Sequence, residues 1–122
     1  MAVQGTIIKK PNNVSAFIGN SVQFDCGMEF QNIDVMAWFF DETQIYYHYS
    51  EDGMYPKGEI KYSVKKTGHQ EQKNFTLHIK ELTLQDGGIY NCSSLTSWAA
   101  AHLIVLGKCK LVSLFWFSVS IK

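Results

Sequence analysis

The sequence predicts an all-β fold of two packed sheets, and three observations carry that expectation. Short apolar or alternating runs recur along the chain, separated by polar turns. Aromatic residues make up 14% of the 122 residues, while proline is limited to Pro11 and Pro56, a composition that suits pleated, half-buried strands. No segment sustains the apolar period of an amphipathic helix.

The elements follow in order. Thr6–Lys10 is a first β-run, closed by Pro11-Asn12-Asn13. Ser21–Cys26 alternates, with Val22, Phe24 and Cys26 on one face. Met36–Phe40 is strongly apolar, and Ile45–Tyr49 is a run of aromatics and Ile. Asp52-Gly53 reads as a turn. Lys61–Lys65 is a modest strand and Gly68–Lys73 a charged turn. Phe75, Leu77 and Ile79 then alternate with Thr76, His78 and Lys80, which predicts one buried and one wet face. Leu82–Gly88 is a bend, Ile89–Ser93 a strand, and Ala99–Leu106 a long last strand.

At this length the chain is one domain, able to bury roughly two-thirds of its unfolded surface. Its 11 basic and 11 acidic residues balance to a formal net charge of zero. That speaks against nucleic acid and anionic membranes, which need clustered positive charge. The cysteines are Cys26, Cys92 and Cys109; a bridge between two of them implies an oxidising compartment and leaves the third over. The start, Met-Ala-Val-Gln-Gly, lacks a basic region followed by an apolar core, so it reads as the beginning of a mature domain without a signal peptide.

Cys26, Trp38, Leu82 and the run Asp86-Gly87-Gly88-Ile89-Tyr90-Asn91-Cys92 together resemble the immunoglobulin superfamily pattern over about residues 3–106. Each element alone is weak, but their order and spacing are highly specific. The resemblance implies a Cys26–Cys92 bridge with Trp38 facing it across the core. The long stretch between the two cysteines leaves room for the two extra middle strands of the variable-type (V-set) Greek-key sandwich. A bridge closing so long a loop stabilises by about 4 kcal/mol in the chain-entropy account. Tyr90 shares the inward face of Cys92 and is placed to send its hydroxyl back to the backbone near Leu82–Asp86, as a tyrosine corner. Lys61 stands where the family usually has an Arg paired with Asp86. A Lys lacks the bidentate fork, which implies a pair worth roughly 0–1 kcal/mol. These residues specify scaffold, not ligand.

One departure matters. Rearranging antigen-receptor domains open the last strand with Phe or Trp and then Gly-x-Gly, whereas Ser97-Trp98-Ala99-Ala100-Ala101-His102-Leu103 contains no glycine. The loop after Cys92 is also short. The chain therefore resembles a fixed, non-rearranging V domain, which speaks against antigen binding by hypervariable loops.

V-set domains commonly bind through the sheet that holds the C, C′, F and G strands. With Trp38 and Phe40 inward, the period of two turns Ala37, Phe39 and Asp41 outward. Phe39, Tyr47, Leu95 and Trp98 are the candidate interface, because apolar aromatic patches mark binding surfaces and their hot spots. The competing reading is that some of these aromatics fill the core. Three glycosylation sequons are present, at Asn13, Asn74 and Asn91. The first two lie in or beside expected turns and are glycan candidates. Asn91 faces the binding sheet beside the bridge cysteine and is expected to stay mostly unmodified.

The character changes after Gly107, so the domain is assigned to residues 1–107 and an apolar tail to 108–122. The stretch Leu111–Ile121 is shorter than the about 20 residues that span a bilayer. It reads as the start of a membrane segment, as an extra strand able to join a sheet edge or swap between chains, or as a non-native or alternatively spliced end without function. Cys109 is a free thiol or an intermolecular bridge.

Catalysis is not expected. His48, His69, His78 and His102 are scattered, no Cys/His cluster has metal-ligand spacing, and no nucleophile elbow or phosphate loop is present. No cofactor is implied. Two binding classes remain. One is an extracellular immune-type receptor module, on a membrane-anchored or secreted parent, that recognises a separate protein or a copy of itself as a homodimer. The other is a homophilic adhesion domain with no immune role. A defence lectin is more distant, since nothing resembles a sugar or calcium site.

Overall fold

The computed structural model describes residues 5–31, 33–50, 52–55, 61–69 and 71–107. The tail 108–122, with Cys109 and the three readings given to it, lies outside the described residues. Two sheets pack face to face. One has the order β1 (Thr6–Lys9), β3 (Val22–Glu29), β8 (Gln72–Ile79), β7 (Tyr62–His69). The other runs β2 (Val14–Phe17), β10 (Trp98–Leu106), β9 (Gly88–Ser93), β4 (Val35–Phe40), β5 (Thr43–Tyr49), β6 (Asp52–Met54). All pairings among the described strands are antiparallel except β2 with β10.

The N-terminal segment serves both sheets. It leaves the four-stranded sheet after β1 and joins the six-stranded one as β2. The switch falls at Pro11, which has no N–H to offer a ladder, and at Asn13, whose Oδ1 accepts a 2.8 Å bond from the His102 N–H of β10.

Between the sheets, the Cys26–Cys92 disulfide joins β3 to β9 across 66 positions of sequence. Trp38 is fully buried beside it. The Tyr90 ring lies between Phe24 and Phe40, with centroids 5.2 and 4.6 Å away. Phe75, Leu77 and Ile79 all point into this core with no exposure. Leu82 closes the bottom, its N–H bonded to the Asn20 carbonyl and its own carbonyl to the Gly19 N–H. A 3-10 turn, Leu84–Asp86, follows, and the Asp86 carboxylate accepts from the Thr83 N–H at 2.8 Å and from its hydroxyl at 3.3 Å. The same Asp86 oxygen meets Lys61 Nζ at 2.7 Å, and that ammonium also donates to the Glu81 carbonyl at 3.1 Å.

Several local expectations are corrected. Asp52-Gly53 is no turn; it belongs to the edge strand β6, with His48 opposite Gly53 and Tyr47 opposite Met54. The chain reverses just before, where Ser50 takes a left-handed φ of 63°. β2 carried no signal strong enough to predict, and β3 runs on past Cys26 to Glu29. The β7–β8 turn is tighter than Gly68–Lys73, because pairing continues to His69 and Gln72. Thr76 is buried rather than wet: its hydroxyl donates to Asp25 Oδ1 at 2.8 Å and accepts from Asn74 Nδ2 at 3.0 Å.

Candidate functional site: the outward face of the six-stranded sheet

The strand register lays out this face in rows. Trp98, Ser93, Ala37, Tyr47 and Met54 are successive partners across β10, β9, β4, β5 and β6. Ala100, Asn91, Phe39 and Gln44 form the next row down. His102 and Ile89 form the third, continued by Asp41, whose N–H donates to the Ile89 carbonyl at 2.9 Å. Inward neighbours Trp38, Tyr90, Cys92 and Ala101 fix the parity, since successive side chains alternate faces.

The third row ends in a tight turn. Asp41 and Glu42 join β4 to β5 with φ values of 46° and 74°, the two left-handed positions of a two-residue hairpin, usually filled by Asn or Gly. Asp41 holds the strained turn in place by accepting the Ile89 N–H on its carboxylate at 2.9 Å. Side-chain chemistry here substitutes for glycine.

Small residues among large ones make a hollow. Phe39, Trp98 and Ile89 stand around Ser93, Ala100 and Asn91, enclosing an open concavity of about 850 Å³. Asp41 and Glu42 lie at its lower end. Trp98 is 70% exposed and Ile89 42%, so water covers much apolar surface here. Asn91 is half-buried, with its Oδ1 out of contact with water and without a hydrogen-bond partner.

Charge separates the two sheets. Among the described residues, the six strands of this sheet contain no Lys or Arg, and their one carboxylate is Asp52 on the edge strand β6. The four-stranded sheet carries Lys9, Asp25, Glu29, Lys65, Lys66 and Lys73. Depletion of charge with retention of aromatics is the composition of a binding-patch centre.

Of the candidate residues, Phe39 and Trp98 wall the hollow. Tyr47 is half-buried in the upper row, and Leu95 is 66% exposed in the β9–β10 turn above it. Ala37 faces outward yet is only 8% exposed, covered by neighbours on both sides. Ile89, Met54 and Tyr49 are exposed parts of the face that the candidate set lacked. The period of two from Tyr90 could have found Ile89, and reading Asp52-Gly53 as a turn hid Met54. Asn13 is exposed just before β2. Asn74 lies inside β8 rather than beside a turn, outward on the opposite sheet, where its Nδ2 donates to Thr76.

His48 and Tyr46, on β5, face the core. The His48 Nε2–H donates to the Ser50 carbonyl at 2.7 Å, and its Nδ1 lies 3.3 Å from the Tyr46 hydroxyl, which donates to it in that tautomer. Burial lowers the imidazole's pKa below its ordinary value, and burial, with Tyr55 beside it, pushes the Tyr46 phenol up to about 12. Both therefore stay neutral. Among the described residues, no group of three or more His, Cys, Asp or Glu is placed to hold a metal ion.

Comparison with solved structures finds the same sandwich in many Ig domains. Dpr1 IG1 bound to DIP-eta IG1 aligns with a TM-score of 0.71 at 19% identity, over 85% of this chain and 97% of that one. The complex of titin M10 with obscurin-like 1 Ig gives 0.68 at 17%, over 87% and 97%. The tandem Ig repeats of Dlar give 0.64 at 18%, over 84% of this chain and 46% of that one. At such identities the likeness is one of fold. No curated protein sequence matches significantly. The immunoglobulin V-set domain profile matches residues 9–102, most of the chain, and with the six-stranded sheet and the Cys26–Cys92 bridge this makes the protein a member of the immunoglobulin V-set domain family.

Proposed function

We propose that this domain is the extracellular protein-binding module of a cell-surface immune-type receptor, and that it docks other Ig-type domains, copies of itself included, through the outward face of its six-stranded sheet. The observation that carries this reading is the hollowed apolar face around Phe39, Ile89 and Trp98, which has carboxylates only at its lower end, on Asp41 and Glu42. Water contact over so much apolar surface is costly, and burying it against a partner recovers roughly 25 cal/mol per Å². The Dpr1–DIP-eta and titin–obscurin structures, in which one Ig domain meets another, support the choice of partner class. A second reading, a homophilic adhesion domain with no immune role, rests on the same exposed apolar face, where Trp98 and Ile89 remain in contact with water.

Six strands at about 4.8 Å spacing and rows spanning about 20 Å give the face a projected area of roughly 600 Å². Asn13 and Asn74 carry glycans in this reading, while a glycan on Asn91 would stand in the hollow. Cys109 and the tail are assigned to the approach to a membrane.

The test is sedentation-equilibrium analysis of the full chain carrying Cys109→Ser, so that no intermolecular disulfide contributes. The expected result is a concentration-dependent dimer that Phe39→Arg or Trp98→Arg makes monomeric without changing the melting temperature. Dimers untouched by both substitutions would overturn the assignment of the face.

A further inference from the structure

We infer that the glycan on Asn74 is a seated one, an inference that rests on the glycan assignment above and adds its geometry. Its first N-acetylglucosamine lies in a hollow on the outward face of the four-stranded sheet, over Gly27 and against Ile8.

Strand register brings the parts together. Lys9, Gly27, Asn74 and Thr67 are successive partners across β1, β3, β8 and β7, so Asn74 stands in the middle of this sheet. Thr76 completes the Asn74-Phe75-Thr76 sequon and shares the face of Asn74, because side chains two apart point the same way. Its hydroxyl accepts from Asn74 Nδ2 at 3.0 Å and donates to Asp25 Oδ1 at 2.8 Å, which fixes the direction of the amide. Gly27 leaves room beside it: a Cβ there would stand 3.0 Å from Lys9 Cβ and 3.7 Å from Asn74 Oδ1. The space is a hollow of about 320 Å³ whose walls include Ile8, Lys9, Gly27, Gly68, Gln72 and Asn74. Small-molecule sites begin at about 300 Å³, and one sugar ring is a ligand of that class.

The composition of the hollow suits a pyranose, which has a C–H face and a hydroxyl rim. Ile8 is 52% exposed and offers that face apolar surface, while the Lys9 and Gln72 side chains offer donors to the rim. In the transfer, the anomeric carbon of a polyprenyl-diphosphate oligosaccharide bonds to Asn74 Nδ2. Its bond to the diphosphate oxygen breaks, the diphosphate leaves, and one Nδ2 proton passes to a base of the transferase. The amide's other N–H remains and keeps the bond to Thr76. Because β8 is paired on both sides, with β3 and β7, the transfer precedes closure of this sheet. The glycan then covers the four-stranded sheet and leaves the six-stranded one open to proteins.

The test uses the full chain with Asn13→Gln and Cys109→Ser, secreted from a glycosylating host. Peptide mapping should find a glycan on Asn74, and a bare Asn74 overturns the inference. An endoglycosidase that leaves one N-acetylglucosamine on the asparagine then isolates the seat. The trimmed protein should melt about 2–4 °C above the same chain refolded without glycan, the response of a domain of this size to one modest contact. Ile8→Ala, at an exposed position, should lose at least half of that gain, and Gly27→Ala, whose methyl enters the hollow, should lose all of it. A gain absent from the parent, or intact in either variant, overturns the seat. Both variants lie on the four-stranded sheet, so each of these outcomes is separate from the Phe39→Arg and Trp98→Arg test of the six-stranded face.

Discussion

The Tyr90 hydroxyl donates a 2.7 Å hydrogen bond to the carbonyl oxygen of Asp86, four residues upstream. Burial pushes the phenol's pKa up, with Tyr62 adding to the effect, so the donor stays protonated. The ring is stacked between Phe24 and Phe40, and the bond therefore ties the 3-10 turn to the centre of the core. Tyr90→Phe keeps the stack and leaves a buried carbonyl unpaired, a loss of about 1–3 kcal/mol. Urea unfolding should show a lower midpoint with an unchanged m-value.

Lys61 and Asp86 form a stronger pair than a Lys at this position suggests. The side chains are 26% and 9% exposed, and Lys61 shares its ammonium with the Glu81 carbonyl. Lys61→Ala strands a largely buried carboxylate that keeps only its Thr83 donors. The expected cost is about 1–3 kcal/mol, less than for a fully buried pair broken on one side. Lys61→Arg should stay within about 0.5 kcal/mol of the parent, as it restores the charge and adds donors. Thermal melts of the two variants side by side make the comparison.

His48 gives the fold a pH dependence with a definite sign. Burial lowers its pKa from 6.5, Lys66 acts the same way, and the Ser50 carbonyl, Asp34 and Asp52 oppose. The folded state then binds fewer protons than the unfolded chain just below the ordinary value. Stability is therefore full above that value and declines as pH falls through it towards the folded value. The melting temperature should drop between about pH 7.5 and about pH 5.5, and His48→Gln should flatten that drop. Asp25, whose pKa is lowered chiefly by the Thr76 hydroxyl, acts with the same sign in a separate and more acidic window.

Gly53 is required by packing rather than by an unusual backbone. A Cβ at this position would collide with the Tyr46 phenol, both its oxygen and its ring. Gly53→Ala should displace Tyr46 from its contacts with His48 and Tyr55. A loss of about 1–3 kcal/mol is expected, typical of overpacking, and Tyr46→Ala in the same background should make the added methyl harmless. Non-additive melting temperatures in the double variant would verify the contact.

What the sequence disclosed was set by how local each signal is. Phe75, Leu77 and Ile79 announce a half-buried strand by alternation alone, and Cys26, Trp38, Tyr90 and Cys92 place the core by type and spacing. β2 and β6 escaped because short edge strands need little apolar pattern. Asp52-Gly53 has strong turn chemistry, yet pairing with β5 and the space beneath Tyr46 override it. Thr76 looked wet because its burial depends on Asp25 and Asn74, which sit on other strands or positions of the sheet. The interface candidates Phe39 and Trp98 were visible from parity. The separation of charge between the sheets was not, because it exists only once each strand is assigned to its sheet.

The parallel pairing of β2 with β10 has a mechanical consequence. Tension applied through the chain pulls β2 towards its N-terminal end and β10 towards its C-terminal end. Parallel neighbours drawn in opposite directions are loaded in shear, so the rungs from Val14–Leu103 to Phe17–Leu106 must yield together rather than one at a time, as the rungs of an unzipping hairpin do. A module held under tension by its two ends thus carries the force on this short seam, with the Asn13 side chain bonded to His102 at its upper end.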